Sequence, residues 1–223
     1  ADVGSGQDEV IEFAEFVEPV PVGTEPQEGG SRAESFRAQT LIARNSEDVS
    51  DARAFYRRTQ LDDESANQNC FFDSSYDKHL RAVALRVLAQ EAPIREDVLA
   101  RQVARAHGFN RMGSNIRSRI LELLEGVFAT EESTGRFLWT GAAARPEVDF
   151  RFAASEDDRR SVDEIPLAEL SGLIRANRRL LKADDPPVTY ARLIGLARLS
   201  QSARERLAEA ITFVRTQSDD SRT

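Results

Sequence analysis

The chain has 223 residues, of which 40% are hydrophobic and 30% are charged, and its formal net charge is −8. This length accommodates one or two small domains with a hydrophobic core. No apolar run reaches the roughly 18 residues that a membrane span needs, and no basic start with an apolar signal region is present. The single cysteine, Cys70, excludes an internal disulfide and a cysteine-based zinc site. We therefore expect an intracellular, cytoplasmic protein.

The acidic charge is concentrated at the N-terminus. Residues 1–34 carry one arginine and nine acids, a local charge of −8 that equals the net charge of the whole chain. The most basic stretch lies between Asp97 and Glu122, where there is no acid. The overall acidity therefore argues against a nucleic-acid partner only for the N-terminal segment.

Residues 1–35 are predicted to be an acidic, partly disordered segment. Three prolines and the Gly29–Gly30 pair interrupt regular structure, so residues 18–35 have the composition of a flexible linker. Residues 10–17 mix acids with large apolar groups, which fits a strand, a short helix or a segment that docks on a partner.

Residues 36–72 form a connector whose pattern is ambiguous. Within it, Phe55 and Tyr56 lie beside Arg53, Arg57 and Arg58. This mixture of aromatic and basic residues could contact nucleic acid. A solvated helix face is the interpretation that we favour.

Residues 73–140 are predicted to form a winged helix-turn-helix. A first helix, capped at residues 73–74, ends before Pro93, and a second helix ends at Gly108. A third helix, capped by Asn110, presents one apolar face. Three short helices joined by tight turns are the core of a helix-turn-helix. The apolar face of the third helix consists of Met112, Ile116, Ile120, Leu123, Leu124 and Val127.

A hairpin is expected after the third helix. Residues 128–130 and 136–140 read as two short strands around the turn-prone residues 131–135. This hairpin is the predicted wing, and we expect Trp139 in the core rather than stacked on a base. The predicted fold class is therefore mainly α with a small β hairpin.

A degenerate second helix-turn-helix without a wing is predicted nearer the C-terminus. Pro166 lies in the first turn of an amphipathic helix, and Pro187-Val188 repeats Pro93-Ile94. Residues 203–209 repeat the pattern apolar-Arg-x-Arg-apolar-x-Glu of residues 116–122. The predicted boundaries are a connector at 141–162, the second helix-turn-helix at 163–214 and a disordered tail at 215–223.

Four segments follow one another in the chain: Glu91-Ala92-Pro93-Ile94, residues 108–120, Phe137-Leu138-Trp139 and Asp163-Glu164-Ile165-Pro166. In order and spacing they resemble an uncharacterised bacterial domain that lies at the C-terminus of large superfamily 1 helicase-like proteins. Some of those proteins carry a Vsr-like endonuclease domain, and some are associated with phage defence. The resemblance covers about residues 75–214 and implies a helicase or nuclease context, with no catalytic residue to carry over.

Because the sequence begins at Ala1 and Met112 is its only methionine, we expect a longer polypeptide.

The candidate nucleic-acid site is the outer face of the third helix. At about 100° per residue, Arg111, Ser114 and Ser118 point away from the apolar face, and Asn115 and Arg117 lie on its flanks. Small polar side chains permit close approach to a groove. Asn115 can bind a base edge, and the arginines can bind phosphate or guanine.

Other residues favour a surface that docks on protein. Leu121 falls on the outward side of the third helix, and Glu122 and Glu125 follow it. Only the N-terminal half of that helix is therefore suited to a DNA groove. In the second copy, Glu205 takes the place of Ser118, so we expect that copy to be structural.

Enzyme chemistry is not predicted for this chain. A glycine-rich loop with Lys-Ser/Thr is missing from the sequence, which argues against an ATPase motor. The two lysines, Lys78 and Lys182, lack the paired acids of a nuclease core, and His79 and His107 are too few for a metal site. We expect no catalytic residue, no cofactor and no metal.

The sequence thus predicts a non-catalytic module that binds duplex DNA within a helicase or nuclease machine. Its expected partners are duplex DNA and the helicase or nuclease domains or subunits of that machine. Neither a membrane nor a small-molecule substrate is expected. The alternative is an assembly module that docks on protein through its winged helix and its acidic N-terminal segment.

Overall fold

The computed structural model describes residues 11–12, 54–61, 66–141, 143 and 148–220. The predicted linker at 18–35 lies outside the described residues. The mainly α class with a small β hairpin is confirmed. The described strands are β1 (Ile11–Glu12), β2 (Ala54–Tyr56), β3 (Ile94–Arg95), β4 (Ala129–Glu132), β5 (Gly135–Leu138), β6 (Arg151–Ala153) and β7 (Arg198–Leu199). The α-helices are α1 (Asp77–Glu91), α2 (Glu96–Ala106), α3 (Ser114–Glu122), α4 (Leu167–Ala176), α5 (Pro186–Leu193) and α6 (Gln201–Asp220).

The first half of the described chain combines α1, α2 and α3 with a three-stranded antiparallel sheet. The sheet has the strand order β3-β5-β4, with Ile94 opposite Leu138 and Arg95 opposite Phe137. The three helices pack on one another over a shared hydrophobic core. Fully buried members of that core are Phe71, Leu80, Val87, Leu99, Val103 and Ile120.

The predicted hairpin is present, with bounds shifted by one or two residues. Glu132 opposes Gly135 across a two-residue turn. Gly135 has a φ of +130°, a value that residues with a side chain rarely adopt. Trp139 is buried, as expected, and its Nε1 donates a hydrogen bond to Thr130 Oγ1 at 3.0 Å. The indole N–H therefore has a hydrogen-bond acceptor although the ring is buried.

The start of α3 corrects the sequence interpretation. Asn110 does not cap the helix: α3 begins at Ser114, and its N-cap is Gly113 in extended backbone. A helix that begins three residues later leaves Arg111 in the preceding turn. Residues 94–95 form β3 between α1 and α2, a strand that two residues could not indicate in the sequence.

The connectors contain an unexpected parallel pair of strands. β2 pairs with β6, with Phe55 opposite Phe152, so the solvated helix face favoured for residues 53–58 is wrong for this part. The pair lies next to α4, where a Cβ on Gly172 would meet the carbonyl oxygen of Val148 at 2.1 Å. Glycine is therefore required where this backbone crosses the helix.

A buried ion network holds β6 to α4. Glu169 of α4 is fully buried and accepts hydrogen bonds from the guanidinium groups of Arg151 (2.9 Å) and Arg160 (2.5 and 2.9 Å). Burial by itself raises the pKa of the Glu169 carboxyl, but the two arginines outweigh this effect and hold the pKa below its ordinary value. The carboxylate thus stays ionised in the interior.

The second half forms its own hydrophobic core from α4, α5 and α6. Asp185 caps α5 by accepting a hydrogen bond from the Val188 amide at 3.2 Å. The helix that follows Pro166 ends at Ala176, and a separate 3-10 helix follows at Arg178–Lys182. Residues 215–220, expected in a disordered tail, are the last turns of α6. Fully buried members of the core are Leu170, Ile174, Tyr190, Leu199 and Leu207.

β1 resolves part of the ambiguity at residues 10–17. Ile11–Glu12 pair with β7 in antiparallel register, Ile11 opposite Leu199 and Glu12 opposite Arg198. Of the three alternatives, the strand applies to these two residues. Residues 13–17 lie outside the described part of the chain.

Replacing Ile120 should separate the core face of α3 from its flank. Ile120 is fully buried, whereas its neighbour Leu121 is half-buried. We expect Ile120→Ala to lower the free energy of unfolding by about 2 to 5 kcal/mol, because a cavity is left in packed surroundings. Leu121→Ala should cost clearly less. Urea denaturation of both variants measures the difference, and equal losses would contradict the helix phase described here.

The Glu169 network predicts a loss of stability in acid. A carboxyl whose folded pKa is lowered stabilises the fold above its unfolded pKa, ordinarily 4.5, and loses that contribution as the pH falls through the lower folded pKa. We expect Glu169→Gln to be less stable than the wild type at pH 7 and to lose less stability between pH 5 and pH 2. If the unfolding free energies of the wild type and of Glu169→Gln changed equally with pH, the lowered pKa of Glu169 would be contradicted.

Candidate nucleic-acid interface

The outer face of α3 presents the small polar side chains that the sequence indicated. Ser114, Asn115 and Ser118 are exposed on the helix, and Arg117 is exposed beside them. Arg111 is also exposed, but it lies in the turn that leads into the helix. The structure thus brings four of the five candidates together on α3 and places the fifth just ahead of its N-terminus.

Arg117 does not extend freely into solvent. Its Nη2 donates a hydrogen bond to Glu96 Oε1 at 2.5 Å, and Arg136 of β5 donates to Glu96 Oε2 at 3.1 Å. Glu96 is only 5% exposed, whereas the side chains of Arg117 and Arg136 are 49% and 47% exposed. One buried carboxylate therefore holds two half-exposed guanidinium groups between α3 and the hairpin, and Arg136 also pairs with Glu131 at 3.5 Å.

These residues border a cleft of about 530 Å³ between α3 and the hairpin. We call it the α3–hairpin cleft. Arg95 lies at its base and donates to Asp97 at 2.6 Å and to Asp163 at 2.6 Å. Arginines and acids are equal in number in the described lining, so the cleft as a whole is electrostatically balanced. The described lining is Arg95, Glu96, Asp97, Arg117, Glu131, Thr134, Gly135 and Arg136.

The salt bridges of Arg95 lower the pKa of both carboxyl partners. Burial alone raises the pKa of Asp97 and Asp163; hydrogen bonds and the charge of Arg95 reverse this, so that both pKa values lie below the ordinary range. The two acids are thus charged at neutral pH and hold Arg95 in place. Its guanidinium is committed to structure rather than to a ligand.

The repeated arginine pattern has a structural part in both halves. Arg117 pairs with Glu96, the first residue of α2, and Arg204 pairs with Asp185, which caps α5. Carboxylates at helix N-termini are favoured by the helix dipole, and each arginine ties its own helix to the start of the preceding one. Arg119, the second arginine of the earlier copy, pairs with Asp77 at the start of α1.

Arg206 is the second arginine of the later copy, and it binds the tip of the hairpin. It is 2% exposed and forms an ion pair with Glu132 of β4. It also donates to Ser133 Oγ at 3.2 Å and to Glu209 Oε2 at 2.9 Å. Glu132 further accepts a hydrogen bond from the Leu167 amide at 2.9 Å. The tip of the hairpin is therefore packed against α4 and α6.

The C-terminal half of α3 offers little to a phosphate backbone. Glu122 and Glu125 are exposed, in agreement with the sequence interpretation. Leu121, expected on the outward side, is half-buried rather than fully exposed. On α3, the surface without exposed acids is thus the N-terminal half of the helix and the turn before it.

Sequence reasoning missed Glu96 and Arg136. An acid in the first turn of α2 is expected from the helix dipole alone, and an arginine in a hairpin strand is ordinary. Their meeting depends on the sheet register that places Arg136 beside α2, which no local pattern encodes. Only the run of arginines without acids after Asp97 pointed to this region.

The two histidines lie in an aromatic cluster under the first core. His107 is buried, its Nδ1 lies 2.8 Å from the Val103 carbonyl oxygen, and its Nε2 lies 3.1 Å from the Tyr76 hydroxyl. These contacts serve packing and the end of α2. Among the described residues no group of three or more histidine, cysteine or acidic side chains is arranged to hold a metal ion. Within the same residues, every helix is too short or too polar to cross a membrane.

Comparison with protein families gives a match to part of the chain. Residues 70–118 match the model of a family described as a protein of unknown function (DUF3320). The matched part runs from Cys70 through α1 and α2 into the first half of α3. Comparison with curated proteins and with solved structures gave no match.

Proposed function

We propose that this chain is a non-catalytic module that binds duplex DNA within a helicase or nuclease machine. The observation that carries the proposal is the exposed N-terminal half of α3, where Ser114, Asn115 and Ser118 leave room for a groove. Helix-turn-helix proteins place the N-terminal residues of the second helix of the pair against base edges. In this chain α2 and α3 form that pair.

The order of elements supports a winged helix-turn-helix. The elements α1, β3, α2, α3 and the β4–β5 hairpin follow one another in the chain. Strand β3 pairs with β5, the second strand of the hairpin. In the proposed complex Arg111 and Arg117 contact phosphates, and Asn115 reads a base edge. Arg136 on β5 lies close enough to Arg117 to contact the same backbone, since both bind Glu96.

The hairpin differs from a freely projecting wing. Its tip is fixed against α6 through Arg206, so the proposed contact with DNA uses α3 and the flank of the hairpin rather than its end. The second half then acts as a support that sets the angle of the hairpin. This assignment agrees with the expectation that the second helix-turn-helix is structural.

The helicase or nuclease context rests on the resemblance of residues 75–214 to the C-terminal domain of large helicase-like proteins. The match of residues 70–118 to a domain of unknown function lies in the same part of the chain. We propose that the module works in the bacterial cytoplasm, in phage defence, beside a motor or nuclease domain that supplies the chemistry.

A second candidate function is docking on a protein partner. It is favoured by the charge balance of the α3–hairpin cleft and by the exposed acids Glu122 and Glu125 at the end of α3. A partner with its own mixed charges would match this surface better than a uniformly anionic duplex. The acidic N-terminal segment would add a contact for a basic surface.

Removing two exposed arginines tests the DNA proposal. We expect Arg111→Ala with Arg117→Ala to weaken duplex binding and to flatten the dependence of log K on log salt by about 1 for each lost phosphate contact. Fluorescence anisotropy with labelled duplexes at two or more salt concentrations measures both effects. Thermal unfolding of the same variant checks that the fold is kept.

The matched control is Arg179→Ala with Lys182→Ala, which removes the same charge from exposed positions in the 3-10 helix at Arg178–Lys182. It should bind duplex like the wild type. An α3 variant that binds as tightly as this control would overturn the DNA proposal and leave protein docking as the better account.

A further inference from the structure

The first turn of α3 carries a side chain that can form two directed hydrogen bonds to one base. Asn115 is the second residue of the helix, and its side chain is exposed. The amide group has an acceptor, Oδ1, next to a donor group, Nδ2. Within the described part of the chain, neither atom has a hydrogen-bond partner. Both are therefore directed to solvent and can meet a ligand.

The neighbours of Asn115 on the outer face leave space around it. Ser114 precedes it and Ser118 lies one turn later, and both are exposed. The hydroxyl of a serine is attached directly to Cβ, whereas the amide atoms of asparagine are attached one bond further out. Asn115 is thus the uncharged side chain that reaches furthest from this part of the helix.

The arginines of α3 are held by carboxylates of other helices. Arg117 pairs with Glu96 of α2, and Arg119 pairs with Asp77 of α1. Arginine is the side chain that most often reads guanine, through two hydrogen bonds to O6 and N7. Because both guanidinium groups are tied to the flanks of the helix, the outer face between them offers an amide to a base rather than a cation.

The amide of asparagine matches one base better than the other three. In the major groove, adenine presents the acceptor N7 beside the donor N6–H, the complement of a side-chain amide. Guanine presents two acceptors, cytosine presents the N4 donor, and thymine presents an acceptor beside a methyl group. Each of these three leaves one half of the amide without a partner at the interface, which costs binding free energy.

We propose that Asn115 makes the α3 site selective for adenine, with Nδ2 donating to N7 and Oδ1 accepting from N6–H. This selectivity rests on the proposed binding of duplex DNA at α3. Ser114 and Ser118 allow the helix to approach the base edge closely. Contacts to phosphate, assigned above to Arg111 and Arg117, add affinity that is the same for every sequence.

The test begins with selection of duplexes from a randomised library by the full chain, followed by sequencing of the bound fraction. The wild type should enrich a site with adenine at one position. Replacing that adenine pair by any other pair should weaken binding about fivefold or more in fluorescence anisotropy. Replacing the adenine by 7-deazaadenine, which lacks the N7 acceptor, should weaken binding as well.

Two variants assign the preference to this side chain. Asn115→Ala should bind the adenine duplex and its replaced forms with equal affinity, since the contacts to phosphate remain. Asn115→Asp, of nearly the same shape, should also lose the preference for adenine, because a carboxylate has no donor for N7. Thermal unfolding checks that the fold is kept. The matched control is Gln90→Ala, which removes an exposed amide near the end of α1 and should keep the preference.

The outcomes separate this proposal from duplex binding itself. Loss of the preference in the Asn115 variants alone supports the selectivity. Duplex binding by the wild type without an enriched adenine, or a preference that Asn115→Ala retains, would overturn the selectivity and leave duplex binding standing. Loss of the preference in Gln90→Ala as well would also overturn it. A wild-type chain that binds no duplex would overturn both proposals.

Discussion

The ion pair between Arg206 and Glu132 joins the two halves of this chain. A guanidinium group that is 2% exposed is stable only if its charge and hydrogen bonds are met, because transfer of an ion from water costs several kcal/mol. Glu132 and Glu209 oppose the charge, and together with Ser133 and the carbonyl oxygen of Ile165 they accept hydrogen bonds from Nη1 and Nη2. The tip of the hairpin, the start of α4 and the first half of α6 are thereby fixed to one another.

This anchor decides which surfaces are left for a partner. The hairpin tip is taken by α6, and the cleft beneath it is balanced by Glu96, Asp97 and Glu131. Next to this cleft, exposed positive charge is present at the start of α3, where Arg111 and Arg117 lie. The proposed duplex contact therefore falls on the N-terminal half of α3 and the turn before it.

Local patterns in the sequence predicted the helices of the first half and the hairpin, because apolar spacing and turn residues act over a few positions. The prediction of Asn110 as a cap was wrong, since Gly113 is the N-cap of α3. Strands β2, β3 and β6 were missed because each has two or three residues and is defined by its partner. The exposure of Ser114, Asn115 and Ser118 follows from helix phase. The sharing of Glu96 by Arg117 and Arg136 follows from tertiary packing, which no local pattern contains.

The central claim is that Arg206 holds the two halves together, and the free energy of unfolding tests it most directly. Arg206→Met should lower that free energy by about 3 to 5 kcal/mol, because it leaves the largely buried Glu132 carboxylate without its charged partner. Arg204→Met, the matched change two residues earlier in a partly exposed pair with Asp185, should cost about 1 kcal/mol or less. Equal losses from the two substitutions, measured by urea denaturation, would contradict the claim.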